Sequence, residues 1–381
     1  MNTVSEDRAS GSSSPLFRPV EIGPLRLRNR IAMAPMTREM APGGVPTRAM
    51  ADYYALRAKG GTGLIITEGC APDLTGAFSD RVPRMDTEEA QEGWSRVVNT
   101  VKAHDAAIMV QLWHVGAFTP SLIGMENGFP HDMRRISPSG LAAPGEPFGE
   151  KMSAREIDNT IASFARAAGV AALLGFHGAE IHAAHGYLPD QFFWGGTNLR
   201  TDRYGGDMAS RTRFALELIK AVKDEVGKDF ALSVRISQWK QLDYAAQVVD
   251  SPDALADWVG PLAEAGADMV HVSTRRFWEA GFSGSDKTLA SLVREASRLP
   301  VIAVGSVTLE NDFKSPQGKT RAMPAPEQIA RLEDGVRAGE FDLIAIGRAL
   351  LANPDWADRV ACGDIANLKG FDRSMLEQLV P

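Results

Sequence analysis

The chain has 381 residues, of which 44% are hydrophobic, and it carries 48 acidic against 41 basic side chains, a formal net charge of −7. This composition suits a globular protein with ample core, and without a basic run or stripe nucleic acid and anionic membranes are poor partners. No apolar stretch approaches the roughly 18 residues that a membrane-spanning helix needs.

The N-terminal stretch MNTVSEDRASGSSSP is polar and lacks the apolar core of an export signal. The two cysteines, Cys70 and Cys362, stand far apart and in no metal-like spacing, which fits a reducing compartment. We therefore expect residues 1–16 to form a flexible tail and residues 17–381 to form one domain of a cytoplasmic protein.

Eight short apolar or β-branched runs recur along the chain, each followed by a segment with helical character. They are 30–36, 63–69, 108–113, 178–186, 230–237, 267–273, 300–305 and 341–348. Runs that are apolar on both faces are typical of parallel strands covered by helices, and eight such units predict an α/β fold, a single (β/α)₈ TIM barrel. A doubly wound sheet is the alternative, but MAPMTREM stands where its glycine-rich first turn would usually be.

Capping residues mark where the covering helices begin and end. Thr87 precedes one helical pattern, and Ser153 with Glu156 forms a capping-box pair before a second. Ser251, followed by a proline, precedes a third pattern. The glycines expected to end the second and third helices are Gly175 and Gly266.

The connection between the third strand and its helix, residues 114–152, is much longer than the others and is rich in proline and glycine. Connections of this length inside a compact domain are usually functional, often as a lid, and disorder is the alternative. We expect this segment to be a long capping loop after the third strand.

Polar and small residues gather where the predicted strands end, which is where a barrel of this kind places its active site. In chain order they are Pro35, Met36 and Thr37; Glu68 and Gly69; Gln111, Trp113 and His114; His182, His185 and Tyr187; Arg235; Gly305 and Ser306; and Gly347 and Arg348. Seven of the eight strands contribute to this set, so their side chains should converge on one site.

Glycine turns after the seventh and eighth strands indicate a phosphate site, because backbone N–H groups of such turns bind anions and Arg348 adds a charged donor. Arg235 lies inside an apolar run, and a buried guanidinium needs an anionic partner. That partner is either a nearby carboxylate or an anionic ring system. With Gln111 and Thr37, these residues look like the binding edge of a planar polar cofactor.

Four segments resemble the old yellow enzyme family of FMN-dependent ene-reductases, in the same order and at compatible spacing. They are LRNRIAMAPMTR, QLWHVG, EIHAAHGYLPDQFFWGGTNLRTDRYGG and FDLIAIGRALLANPDW. The resemblance runs from about Phe17 to Trp356. It implies a non-covalently bound FMN, reduction by NADH or NADPH, and reduction of the activated C=C bond of an α,β-unsaturated carbonyl compound.

The resemblance also implies which residues bind the cofactor. They are Pro35, Met36, Thr37, Gly69, Gln111, Arg235, Gly305, Ser306, Gly347 and Arg348. Thr37 matches the residue that hydrogen-bonds the flavin C4 carbonyl, Gln111 matches the contact to the pyrimidine edge, and Arg235 matches the cation beside N1 and O2. Gly69 would leave room for the ring, and the last four residues would hold the phosphate.

Three residues at the end of the fourth strand match the family's catalytic groups. His182 and His185 correspond to the donors that bind the substrate oxygen while hydride passes from flavin N5 to the β-carbon. Tyr187 corresponds to the acid that protonates the α-carbon, and a phenol with a reference pKa of about 10 stays protonated at neutral pH. The side chains expected to shape the substrate pocket are Trp113, Phe118 and Trp278.

Other interpretations of the same residues stay open. The two histidines could ligate a metal together with His114 or His271, or could be structural, although we expect no metal. An oxidative flavoenzyme that demethylates or dehydrogenates amines is the alternative on the same scaffold. A flavin-free lyase or metal hydrolase and a non-catalytic binding protein are the alternatives from other classes. We expect a small-molecule partner and either a monomer or a homodimer.

Overall fold

The computed structural model describes residues 14–118, 134–310, 319–320 and 325–379. Eight parallel strands close into a barrel in which each strand pairs with the next along the chain and the last pairs with the first. They are β1 (Ile31–Met33), β2 (Leu64–Cys70), β3 (Ala107–Leu112), β4 (Gly178–His185), β5 (Ala231–Lys240), β6 (Met269–Ser273), β7 (Val301–Val304) and β8 (Leu343–Ile346). Each strand overlaps one of the predicted runs, so the (β/α)₈ barrel is confirmed.

Helices cover the outside of the barrel. They are α1 (Arg48–Lys59), α2 (Glu88–Lys102), α3 (Ala154–Leu173), α4 (Leu188–Phe193), α5 (Met208–Val226), α6 (Pro252–Val259), α7 (Leu262–Ala265), α8 (Leu289–Ser297), α9 (Ala325–Ala338), α10 (Arg348–Ala352) and α11 (Trp356–Ala361). The predicted caps are confirmed at Thr87, Ser251 and the capping box of Ser153 with Glu156. Within the described ranges no helix is long and apolar enough to cross a membrane.

The third helical pattern of the sequence forms two helices instead of one. α6 ends at Val259 and α7 begins at Leu262. Pro261 lies between them, and a proline has no N–H to continue the helical hydrogen bonds. The predicted end at Gly266 is confirmed, with a φ of 110°, and Gly175 follows α3 with a φ of 87°.

The packed chain begins before the predicted end of the tail. Pro15–Phe17 forms a 3₁₀ helix capped by Ser14, and Leu16 is completely buried. Residues 14–16 therefore belong to the folded domain and not to a flexible tail. The rest of the predicted tail, residues 1–13, lies outside the described residues.

An apolar plug closes the N-terminal end of the barrel. A hairpin of Val20–Ile22 and Leu25–Leu27 packs against the first inward-facing residues of the strands. We call this group the plug; it includes Ile22, Leu25, Leu27, Ala32, Leu64, Met109, Ala231, Met269, Ile302 and Leu343. Because aliphatic side chains fill this end, the C-terminal end is the one available for binding.

The long connection after β3 is partly organised into small sheets. Ile136–Ser137 pairs with Glu150–Lys151, and Leu141–Ala143 pairs with Glu146–Pro147. Arg200 connects the beginning and the end of this segment, because its Nη1 donates to the carbonyls of Pro138 and Met152 at 2.9 and 2.6 Å. Residues 119–133 of the predicted capping loop lie outside the described residues.

Candidate active site

The three residues expected to be catalytic lie together at the C-terminal end of β4. The ring centroids of His182 and His185 are 5.0 Å apart, and that of Tyr187 is 4.9 Å from His182 and 6.5 Å from His185. All three side chains are buried. The structure therefore brings two imidazoles and one phenol into a single cluster.

An irregular backbone makes this clustering possible. Residues three apart on a regular strand point to opposite faces, but the register of β4 shifts between Ala183 and His185. His185 itself has a φ of 64°, which is rare for a residue with a side chain. Its N–H donates to Ser237 Oγ at 2.9 Å, and its carbonyl accepts from Gln241 N–H at 3.1 Å. β5 thus holds the turn that presents the second histidine.

A fully buried ion pair supports the same turn. Lys240 Nζ lies 2.7 Å from Asp190 Oδ1, and the two side chains are 1% and 0% exposed. The second carboxylate oxygen of Asp190 accepts the Gly186 N–H at 2.6 Å. Lys240 stands three residues beyond the predicted end of the fifth strand, so the sequence pattern missed this pair.

Two of the predicted pocket residues pack directly on the phenol of Tyr187. The ring centroids of Trp113 and Phe118 are 4.8 and 5.1 Å from that of Tyr187. A Cβ at Gly69 would lie 2.2 Å from Cε3 of Trp113. The absence of a side chain at Gly69 therefore leaves room for the indole of Trp113, whereas the resemblance explains this glycine by the cofactor.

The third predicted pocket residue has its contacts elsewhere. The ring of Trp278 lies 5.0 Å from that of Phe277, and the guanidinium of Arg331 lies over it at 5.9 Å. Within the described part of the chain, no ring contact joins Trp278 to the cluster of His182 and Tyr187.

An aromatic stack after β5 occupies the side of the cluster beyond His185. Trp239 stacks on His185 at 4.2 Å between centroids, and Tyr244 stacks on Trp239 at 5.2 Å. Trp239 Nε1 also donates to the Ser273 carbonyl at 3.2 Å. The segment QWKQLDY, which follows an apolar run and is rich in aromatic and polar residues, was the signal that could have identified this wall.

The groups of the cluster are electrically neutral. Burial and the charge of Arg235 lower the pKa of both His182 and His185 well below the usual value. Burial also raises the pKa of the Tyr187 phenol far above its usual value. Near neutral pH the site therefore presents neutral imidazoles and a protonated phenol beside one fixed cation.

The residues expected to bind a cofactor surround the same end of the barrel. Pro35 is buried, Met36 is half-buried and Thr37 is exposed in the segment after β1. Near the ends of β7 and β8, Arg348 Nη2 lies 3.3 Å from Ser306 Oγ. The two glycines there are closely packed: a Cβ at Gly305 would lie 2.8 Å from Thr274 Oγ1, and one at Gly347 would lie 3.3 Å from Met36 Sδ.

The buried Arg235 is only partly satisfied by the protein. It is 7% exposed, its Nη2 donates to Ser273 Oγ at 3.3 Å, and its Nε has no hydrogen-bond partner among the described residues. His182 Nδ1 is also buried without such a partner there. Buried donors of this kind are costly unless a ligand pairs with them, so the donor set fits an anionic ring system such as that of FMN.

The two further histidines considered as metal ligands have protein partners at Nδ1, whereas Nε2 of each is buried without a hydrogen-bond partner among the described residues. His114 Nδ1 accepts the Gly116 N–H at 3.1 Å, and burial lowers the pKa of His114 to about 4. His271 Nδ1 lies 2.8 Å from Glu180 Oε2 inside the barrel. Sequence reasoning assigned no role to Glu180, although an acidic residue in the apolar run GAEIHAAHG was a visible signal.

Comparisons with known proteins identify the family of the chain. The model of the NADH:flavin oxidoreductase / NADH oxidase family matches residues 15–367. The 12-oxophytodienoate reductase 7 of Oryza sativa subsp. japonica is 33% identical over 377 residues, which cover 94% of this chain and 91% of the rice protein. The chain therefore belongs to the NADH:flavin oxidoreductase / NADH oxidase family.

Solved structures extend the likeness to the whole fold. Morphinone reductase in complex with tetrahydroNAD has a TM-score of 0.77 at 28% identity, covering 95% of this chain and 93% of its own. The old yellow enzyme homologue from Zymomonas mobilis has a TM-score of 0.76 at 27% identity, covering 96% and 97%. The resemblance to the old yellow enzymes is confirmed, and the protein is an FMN-dependent oxidoreductase that uses NADH or NADPH.

Proposed function

We propose that this protein reduces the activated C=C bond of small α,β-unsaturated carbonyl compounds, and that His182, His185 and Tyr187 carry the reaction. The observation that supports this most directly is the convergence of two neutral imidazoles and a protonated phenol beside the buried Arg235. The reductases named among its relatives, for 12-oxophytodienoate and morphinone, support the same class of substrate.

The cofactor would be held by residues from several strand ends. Thr37, Gln111 and Arg235 would contact the ring system, with Pro35, Met36 and Gly69 lining its place. The residues that would hold the phosphate are Gly305, Ser306, Gly347 and Arg348. Bound FMN would supply the hydride, which it receives from NADH or NADPH. The fixed charge of Arg235 would stabilise negative charge on the ring system.

His182 and His185 would donate hydrogen bonds to the carbonyl oxygen of the substrate. Ser273 Oγ lies 2.8 Å from His185 Nε2 and 3.3 Å from Arg235 Nη2, so its hydroxyl can favour one of the two tautomers of His185. A guanidinium can only donate, so Ser273 accepts from Arg235 and can give its own proton to Nε2. In the tautomer in which Ser273 donates to Nε2, the proton of neutral His185 lies on Nδ1, and Nδ1 would be the donor to the substrate.

Tyr187 would deliver the proton to the α-carbon. Its phenol is enclosed by Trp113, Phe118 and His182, and this burial keeps the proton on the oxygen until a strongly basic carbon is formed. The same walls would keep water away, so that the phenol would be the acid nearest to the substrate. A positioned acid of this kind typically contributes about 10²–10⁴ in rate.

An anaerobic titration tests the proposal. The visible spectrum of the purified protein is recorded, NADPH or NADH is added, and cyclohexenone follows. We expect a yellow protein that bleaches with the nicotinamide and regains its colour with the enone. A protein that bleaches but does not respond to enones would contradict ene-reduction and favour the oxidative alternative.

The proposal includes a small-molecule substrate, with a monomer or homodimer as the assembly, and a cytoplasmic location. The two free cysteines, one buried and one exposed, support a reducing compartment. A colourless protein that cannot be reconstituted with FMN would overturn the proposal as a whole.

A further inference from the structure

We infer that Glu180 is a positioning residue for the cofactor: it fixes the orientation of the Gln111 amide, partly offsets the charge of Arg235, and so lowers the reduction potential of bound FMN. This inference rests on the proposed flavin site. Glu180 lies two residues before His182 on the same face of β4, so it is nearer to the N-terminal end of the barrel than the catalytic cluster is.

Three donors from three different strands converge on this carboxylate. Gln111 Nε2 on β3 donates to Oε1 at 2.8 Å, and Ser233 Oγ on β5 donates to Oε2 at 3.1 Å. His271 Nδ1 on β6 lies 2.8 Å from Oε2. Glu180 stands directly opposite Gln111 and Ser233 in the strand register, and its side chain is 0% exposed.

These donors keep the carboxylate ionised inside the barrel. Burial alone would raise the pKa of Glu180, but the hydrogen bond from His271, the charge of Arg235 and the hydrogen bond from Gln111 hold it below its usual value. Burial lowers the pKa of His271, which is therefore a neutral donor near pH 7. Among the described residues, Glu180 carries a negative charge opposite Ser233, and Arg235 carries a positive charge opposite His182, two residues further along the strands.

The ionised carboxylate decides which end of Gln111 faces it. A carboxylate without a proton can only accept, so the amide must present Nε2 to Glu180, as the 2.8 Å contact shows. The amide oxygen of Gln111 is then the end left for other partners. Toward a cofactor Gln111 can act as an acceptor, which suits a ring N–H and disfavours a ring carbonyl.

The same carboxylate acts on the charge of Arg235. Burial lowers the pKa of Arg235, and the largest opposing influence is the negative charge of Glu180. A cation that is already partly compensated attracts added negative charge less strongly. Because a reduced flavin carries more negative charge than an oxidised one, Glu180 makes reduction less favourable than Arg235 alone would.

The test is the midpoint potential of the FMN-loaded protein, measured by equilibration with a reference dye. We expect Glu180→Gln to shift the potential in the positive direction, with the reduced fraction favoured by about tenfold, which is about 30 mV for a two-electron couple. We also expect the dissociation constant of FMN to rise by about tenfold, because an amide at position 180 lets Gln111 turn over.

Ser233→Ala is the matched control, since it removes one donor and keeps the charge. The carboxylate is then less compensated, so the potential should shift in the negative direction, by less than the tenfold equivalent. A positive shift in both variants would assign the effect to packing and overturn the inference. An unchanged potential in Glu180→Gln would overturn it as well.

The outcomes separate this inference from the proposed function. Wild-type protein that binds no FMN contradicts the flavin site itself. Wild-type protein that binds FMN, with no change of potential in Glu180→Gln, contradicts only the role of Glu180. If Glu180→Gln fails to fold or to bind FMN, Ser233→Ala decides: a negative shift supports the charge role, and a zero or positive shift overturns it.

Discussion

The two ends of the barrel interior are built from the same strands and differ completely in chemistry. On β3 the inward residue Met109 belongs to the plug, and Gln111, two residues further on, hydrogen-bonds Glu180. On β6 the corresponding step leads from Met269 to His271. Since inward residues alternate along a strand, one step of two residues replaces aliphatic packing with a polar layer.

The difference shows how the barrel separates stability from ligand binding. In the plug, aliphatic side chains fill the interior and need no partners. In the polar layer, the buried carboxylate of Glu180 accepts hydrogen bonds on both oxygens, which offsets the cost of burying its charge. Among the described residues, Arg235 Nε and His182 Nδ1 lack partners and lie on the catalytic side, where a ligand can satisfy them.

The largest effect is expected for the phenol at the mouth. Tyr187→Phe should slow reoxidation of the enzyme by an enone by about 10²- to 10⁴-fold, because the positioned acid is lost, while reduction by NADPH stays nearly intact. Stopped-flow measurements of the two half-reactions check this. Tyr204→Phe is the matched control, since that hydroxyl contacts Glu217 outside the site and its loss should change neither rate. Unchanged reoxidation in Tyr187→Phe would remove the proton-donor role.

The next effect concerns the ion pair behind the catalytic turn. Lys240→Met leaves Asp190 buried without its cation, and we expect the free energy of unfolding to fall by about 3–5 kcal/mol. Urea unfolding measures the loss. Lys220→Met is the control, because its pair with Asp224 is exposed at 70% and 66% and should contribute less than about 1 kcal/mol. Equal losses in both variants would show that burial does not determine the effect.

Much of the fold could be predicted because its signals are local. Buried parallel strands are apolar on both faces, so each strand appeared as a run, and helix starts were visible as capping residues such as Thr87 and Ser153. The break in the third helix was missed because the apolar pattern continues across Pro261. That pattern reports which face is buried and not where hydrogen bonding stops.

The catalytic cluster could be predicted from the sequence, whereas the residues that support it could not. His182, His185 and Tyr187 lie within one short segment, and the family resemblance marked them. Glu180 and His271, by contrast, meet across 91 residues of sequence. Lys240 was missed because β5 extends past the polar residues at which the apolar run ends. Such pairs depend on the strand register, which a single sequence does not contain.

Substitutions of two consecutive inward residues of β3 test whether the two ends of the barrel have separate roles. Met109→Ala removes a fully buried side chain from the plug and should lower the free energy of unfolding by about 2–5 kcal/mol. It should leave the dissociation constant of FMN within about twofold. Gln111→Leu, one step further along β3, should weaken FMN binding instead. Denaturant unfolding and fluorescence titration of FMN give both quantities, and a Met109→Ala protein that loses FMN affinity would contradict the separation of roles.

The smallest expected effect is a pH dependence of the free energy of unfolding. It comes from the C-terminal end of the barrel, because the plug contains only apolar side chains, which do not titrate. At the end of β2, Glu68 accepts from Arg38 N–H at 3.0 Å and from the Tyr54 hydroxyl at 3.2 Å, yet burial raises its pKa to about 7. A raised carboxyl pKa means that the folded state holds the proton longer than the unfolded state. Stability should therefore fall as pH rises from about 4.5 to about 7, by at most about 3 kcal/mol, and then level off. Glu68→Gln should remove this decrease in urea unfolding at pH 5 and pH 8, and parallel losses in the two proteins would mean that Glu68 does not titrate in this range.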